Sequence, residues 1–203
     1  MGNCERMDKT VIVKTIVVGP LQTNCYILGC RNTHDAVIID PGDDNPKIQA
    51  IIEQEELKVK AIILTHGHYD HIGCLNSFDL PVYIHADDAE MLLDGKKNLS
   101  ASFGIGQVFS PDLKILKHND IIKVGDLQIN VIHTPGHSRG GICLHMQDVL
   151  FSGDTLFCHG IGPRHSDHAV LRRTSSYAAR TSGIVCAGLS GRSTRASERN
   201  HSS

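Results

Sequence analysis

The sequence predicts a layered α/β sandwich on three observations: short Val- and Ile-rich runs of strand length, amphipathic stretches of helical period between them, and two pairs of runs joined by two-residue turns. Residues 10–18, 25–28 and 36–39 are rich in Val, Ile and Tyr and predict three early strands, the third ending at the turn residues Pro41, Gly42 and Asp43. Pro46 then opens a stretch in which Ile48, Ile51, Ile52 and Leu57 fall near helical spacing with Glu53, Glu55 and Glu56 between them, the pattern of a surface helix. Residues 61–64 are wholly apolar and too few for a helix, so they read as a buried central strand. A short helix near 72–78, a strand at 82–84, a helix near 87–93 and a polar Gly-bearing loop over 95–106 follow. Two hairpins close the series, 121–124 with 127–132 around Gly125-Asp126, and 142–146 with 149–152 around Gln147-Asp148. Hairpins mixed with helices argue against a doubly wound parallel sheet.

The chain has 203 residues, 40% of them hydrophobic and 21% charged, enough to bury one sizeable core. No window approaches the ~18 apolar residues of a membrane span. The start MGNCERM is charged where a signal peptide needs its apolar stretch, and Arg6 breaks the myristoylation pattern that Gly2 begins, so a cytoplasmic protein without a membrane partner is expected. Seven cysteines without a Cys-x-x-Cys pair read as reduced structural thiols. A net charge of −2 carries no polyanion-binding signature, so no nucleic-acid partner is expected, and nothing in the sequence specifies an oligomeric state.

The composition changes near Pro163. Residues 1–162 hold ten Lys and three Arg, whereas 163–203 hold seven Arg, nine Ser and no Lys, and carry no sustained apolar period. The expectation is one domain over 1–162 followed by a Ser/Arg-rich, disordered tail over 163–203.

The 13 histidines cluster. His66-x-His68-x-Asp70-His71 sets three imidazoles and a carboxylate in six residues directly after the predicted buried strand. Alternate residues of an extended segment point the same way, so His66 and His68 can grip one cation while the following turn brings Asp70 and His71 towards a second. A second cluster, His133-Thr134-Pro135-Gly136-His137, ends a predicted strand at a Pro-Gly turn and offers His133 or His137 as a further ligand. Ser152-Gly153-Asp154-Thr155 also ends a strand and adds a carboxylate. Either of the last two alone reads as a plain turn; beside the first cluster they read as parts of one site.

THGHYDH, HTPGH and SGDTLF, in that order and spacing, resemble the metallo-beta-lactamase superfamily, and the small glyoxalase-II-like thiolester hydrolases within it. NCYIL, IDPG and IHA resemble the same branch, so the likeness covers residues 10–162. It implies an αββα sandwich and a first metal held by His66, His68 and His137. The second metal would take Asp70 and His71, with Asp154 bridging the two and Asp40 supporting the ligands from behind. His133 then falls outside the ligand set. The implied activity is hydrolysis of a small-molecule thiolester by a metal-activated hydroxide that Asp70 orients, with zinc as the metal and iron or manganese as acceptable substitutes.

The chain also departs from that pattern. The family closes its second metal site with a histidine in a G-H-G type segment, and the sequence after Gly162 reads PRHSDHAVLRR without one. The second metal is therefore expected to bind weakly, unless His165 or His168 substitutes. Two alternatives follow: a mononuclear-iron enzyme like the persulfide dioxygenases, on His66, His137 and Asp154, or a truncated metal-binding domain with little activity.

Overall fold

The computed structural model describes residues 10–43, 46–157, 160–161 and 183–185. Two sheets stack face to face. The first contains β1 (Val11–Val18), β2 (Thr23–Cys30), β3 (Asp35–Ile39), β4 (Lys58–Ile63), β5 (Val82–His85) and β6 (Leu113–Leu116), side by side in chain order. β1 to β3 pair antiparallel, and β3 to β6 pair parallel. The parallel half needs crossovers, and α1 (Pro46–Gln54) supplies the one between β3 and β4. The second sheet contains β7 (Ile121–Val124), β8 (Leu127–His133), β9 (Ile142–Met146) and β10 (Val149–Phe151), joined as antiparallel hairpins.

The layers follow from side-chain alternation along each strand. One face of β2 and β3 turns Tyr26, Leu28, Val37 and Ile39 towards Ile129, Val131, Leu144 and Phe151 of the second sheet. There Tyr26 meets Phe151 edge to face, ring centroids 5.1 Å apart. The other face turns Ile27, Ile38, Ile62 and Leu64 towards a second core that takes Ile48 of α1, together with Ile72 and Leu92 from the segments beyond β4 and β5. Both faces of the first sheet are buried, which is why its central strands read as continuous apolar runs. On the outer face of the second sheet Ile132, Cys143 and Leu150 are buried as well. Among the described residues these are the α, β and β layers of a metallo-beta-lactamase-like sandwich, with α1 over the first sheet and no α-helix in the cluster on the outer face of the second.

Several elements differ from the sequence reading. The segment near 72–78 is a single helical turn, α2 (Tyr69–Ile72), then a 3-10 turn at Leu75–Ser77, and the helix near 87–93 is a 3-10 run, Ala86–Leu93. β6, not foreseen, completes the parallel half. β11 (Leu156–Phe157) and β12 (Gly160–Ile161) form a short ribbon. Of the 163–203 segment, only β13 (Gly183–Val185) is described, pairing parallel with β10; the rest, with His165 and His168, lies outside the described residues. Among the described residues no helix is long and apolar enough to cross a membrane.

Candidate metal centre

The site forms where chain segments leave β3, β4, β8 and β10. β3 and β4 run parallel, and β8 and β10, each antiparallel to β9, share a direction. Their exits therefore gather at one edge of the sandwich, and Ile142 N–H donates to Thr65 O across the two sheets at 2.9 Å. From β3 comes Asp40, in a left-handed turn at φ +53°. β4 delivers His66 and His68, α2 supplies Asp70 and His71, the turn after β8 supplies His137, and a 3-10 turn after β10, Gly153–Thr155, supplies Asp154. The local chain is shaped for this convergence. A Cβ on Gly42 would run into the carbonyl of Asp70, so the Asp40-Pro41-Gly42 turn slides directly beneath α2.

The structure brings all six predicted ligands together. His66, His68 and His137 form one group of converging donor atoms, and His66, His71 and Asp154 form another. His68 Nδ1 lies 2.8 Å from His137 Nε2. Asp154 spans the two groups, with Oδ1 3.2 Å from His71 Nε2 and Oδ2 3.3 Å from His137 Nε2. Asp70 stands at the side, Oδ2 3.5 Å from His71 Nε2, and accepts a hydrogen bond from Thr23 Oγ1 at 2.8 Å. Asp40, buried, accepts from Thr65 N–H at 2.8 Å, Thr65 Oγ1 at 2.6 Å and His71 Nδ1 at 2.9 Å.

The donor set fits a divalent metal. Thr65 Oγ1 gives its proton to Asp40, so at 3.2 Å from His66 Nδ1 it accepts that ring's N–H, and the tautomer assigned by this network leaves Nε2 as a bare lone pair. Among the described residues His66 Nε2 is the only buried side-chain nitrogen or oxygen without a hydrogen-bond partner, a costly arrangement that a cation would relieve. His71 Nδ1 likewise donates to Asp40, which aims its Nε2 at the oxygens of Asp154 and Asp70, acceptors facing an acceptor. A proton or a metal has to lie between them.

The ionisation follows. Burial, then His71, His68 and His137 nearby, pushes His66 well below its ordinary value. Burial, with His137 beside it, pushes His68 down to about 4. Burial also opposes the charged form of His71, but Asp40 first and then Asp154 outweigh it and hold His71 well above the usual imidazole range. Asp154 is lowered against its own burial by His71.

His133 lies apart from these groups. Its Nε2 faces Arg139 O at 2.9 Å and its ring stacks on His85, centroids 3.9 Å apart and planes 11° from parallel. Although His85, Asp87 and His133 approach one another, in-plane lone pairs of parallel rings do not converge on one ion. Sequence reasoning missed Thr23, Thr65 and Asp88, which make hydrogen bonds across 25 to 50 residues that no local spacing announces.

Residues 18–189 match the family model of the metallo-beta-lactamase superfamily. A probable metallo-hydrolase, YqgX, of Bacillus subtilis is 36% identical over 152 residues, covering 71% of both chains. The hydroxyacylglutathione hydrolase GloC of Haemophilus influenzae is 30% identical over 158 residues and 74% of both chains. Among solved structures, the B3 metallo-beta-lactamase BLEG-1 superposes with a TM-score of 0.75 at 33% identity, over 87% of this chain and 91% of its own.

Proposed function

Because this chain belongs to the metallo-beta-lactamase superfamily, whose model covers residues 18–189, we propose that it is a metal-dependent hydrolase acting on small-molecule thiolesters. The observation that carries the reading is the convergence of four imidazoles and two carboxylates at one edge of the sandwich, with His66 Nε2 buried and unpartnered. The likeness to a hydroxyacylglutathione hydrolase, and the NCYIL, IDPG and IHA segments, support the thiolester class.

Bound zinc would polarise the acyl carbonyl and bring the pKa of water towards about 7. His66, His68 and His137 would hold the first ion, His71 and Asp70 the second, and Asp154 would touch both. Thr23 fixes Asp70 against the centre, where its carboxylate orients the attacking water. Asp40 and Thr65 set the ring tautomers of His71 and His66, so that both present Nε2 inward. A thiolate of pKa about 8.5 leaves without a proton donor, so no general acid is needed.

The test is to load the purified chain with zinc and follow thiol release from a hydroxyacyl-glutathione thiolester, with a lactone series in parallel. Release above the metal-free control supports the reading. Lactone turnover alone would move the substrate class. One equivalent of tightly held iron without hydrolysis would favour the mononuclear centre on His66, His137 and Asp154.

A further inference from the structure

We propose that Asp88 is a positioning residue for this centre, a buried carboxylate that fastens the loop carrying His66 and His68 to the loop carrying His137. The inference rests on the metal-centre reading above.

Asp88 lies in the 3-10 run Ala86–Leu93, is 1% exposed, and belongs to neither ligand group. Its Oδ2 accepts Ser138 Oγ–H at 2.6 Å and Gly67 N–H at 3.3 Å, and its Oδ1 accepts Gly140 N–H at 2.6 Å. Gly67 is the residue between His66 and His68, and Ser138 follows His137 directly. One carboxylate therefore grips both ligand-bearing segments, which are 69 residues apart where His68 meets His137.

The backbone is cleared for this grip on both sides. A Cβ on Gly67 would sit 2.7 Å from Met91 Cβ and 3.2 Å from Asp88 O. A Cβ on Gly140 would sit 2.6 Å from Asp88 N and 2.8 Å from Asp88 Cβ and Cγ. Only glycine lets both strips of backbone lie this close to Asp88.

The chemistry requires a carboxylate. Both oxygens accept, and all three partners donate, so an amide of the same shape points its NH2 group at a donor in either orientation. The three imidazoles of the first group come from two loops, and the short His68 to His137 approach tolerates little drift if both nitrogens are to serve one ion.

The experiment compares the wild type with Asp88→Asn, Ser138→Ala and, as control, Asp87→Asn, whose carboxylate is largely exposed. Three quantities are read on the full chain: zinc affinity by competition with a chromophoric chelator, the visible absorption of the cobalt(II)-loaded protein, and melting of the metal-free protein. The expected result is first-metal affinity weakened roughly 10- to 100-fold in Asp88→Asn, less in Ser138→Ala, with an altered cobalt spectrum in both and Asp87→Asn at wild-type values. If Asp88→Asn fails to fold, Ser138→Ala still decides. Wild-type zinc affinity and an unchanged cobalt spectrum, even with lower melting, would show a role in stability alone and overturn the inference. If the wild type itself holds neither zinc nor cobalt, the metal-centre reading falls, and this inference with it.

Discussion

His66, His68 and His137 face one another as three imidazoles, whereas His71, only three residues beyond His68, faces three carboxylates, Asp40, Asp70 and Asp154. In the first group burial and mutual repulsion drive His66 and His68 towards the uncharged form. The second carries a proton between its imidazole and its carboxylates when no metal is present. A neutral nitrogen group takes a soft divalent ion without first losing a proton, while the mixed group has to exchange its proton for the metal. Their bracing differs as well: Asp88 touches the loops of the first group from one side, whereas Asp40 holds His71 directly and reaches His66 only through Thr65. The six-residue run from His66 to His71 therefore enters two chemically different surroundings, because its ends meet different parts of the fold.

Deleting ligands should separate the halves most sharply. His66→Ala and His137→Ala are expected to lose most of the bound metal, whereas His71→Ala keeps the first equivalent and loses the second; His133→Ala keeps both. Metal content per chain, measured by elemental analysis, checks this, and loss of both equivalents on His71→Ala would show that the halves are one cooperative unit.

Asp40→Ala comes next. It leaves the Thr65 N–H, the Thr65 hydroxyl and His71 Nδ1–H without their acceptor in a buried place, at a cost of about 3 kcal/mol, or roughly 6–12 °C in melting temperature. A metal-free chain that melts within ~2 °C of wild type would show that water takes over those bonds.

Thr23→Val should have the smallest effect. It removes one hydroxyl from Asp70 while keeping the shape, so the second metal should weaken by about 1 kcal/mol, a several-fold change, with the first unaffected. Zinc titration of the apoprotein distinguishes the two. Equal weakening of both would show that Asp70 serves the first half as well.

The sandwich was legible because its signals are local. Both hairpins fall where alternation and the Gly125-Asp126 and Gln147-Asp148 turns put them, and β4 where its apolar run ends at Thr65. The convergent histidines and carboxylates were visible for the same reason, since His66 to His71 and the turn to His137 are compact in sequence. β6 was not, because Leu113–Leu116 is a strand by virtue of its pairing with β5, and its alternation is too short to stand out.

The layered α/β class, the run of histidines and carboxylates and their association with strand ends are written in the sequence alone, because periodicity and close spacing lie within a few residues of one another. The tertiary structure sets which ring nitrogen faces inward, which imidazole is pushed down by burial and which is pulled up by its carboxylates, and which buried acids hold the loops. Those properties depend on contacts such as Thr23 to Asp70 and Asp88 to Ser138, where burial strips away water and a single carboxylate or hydroxyl sets the tautomer, the charge and the position of its neighbours.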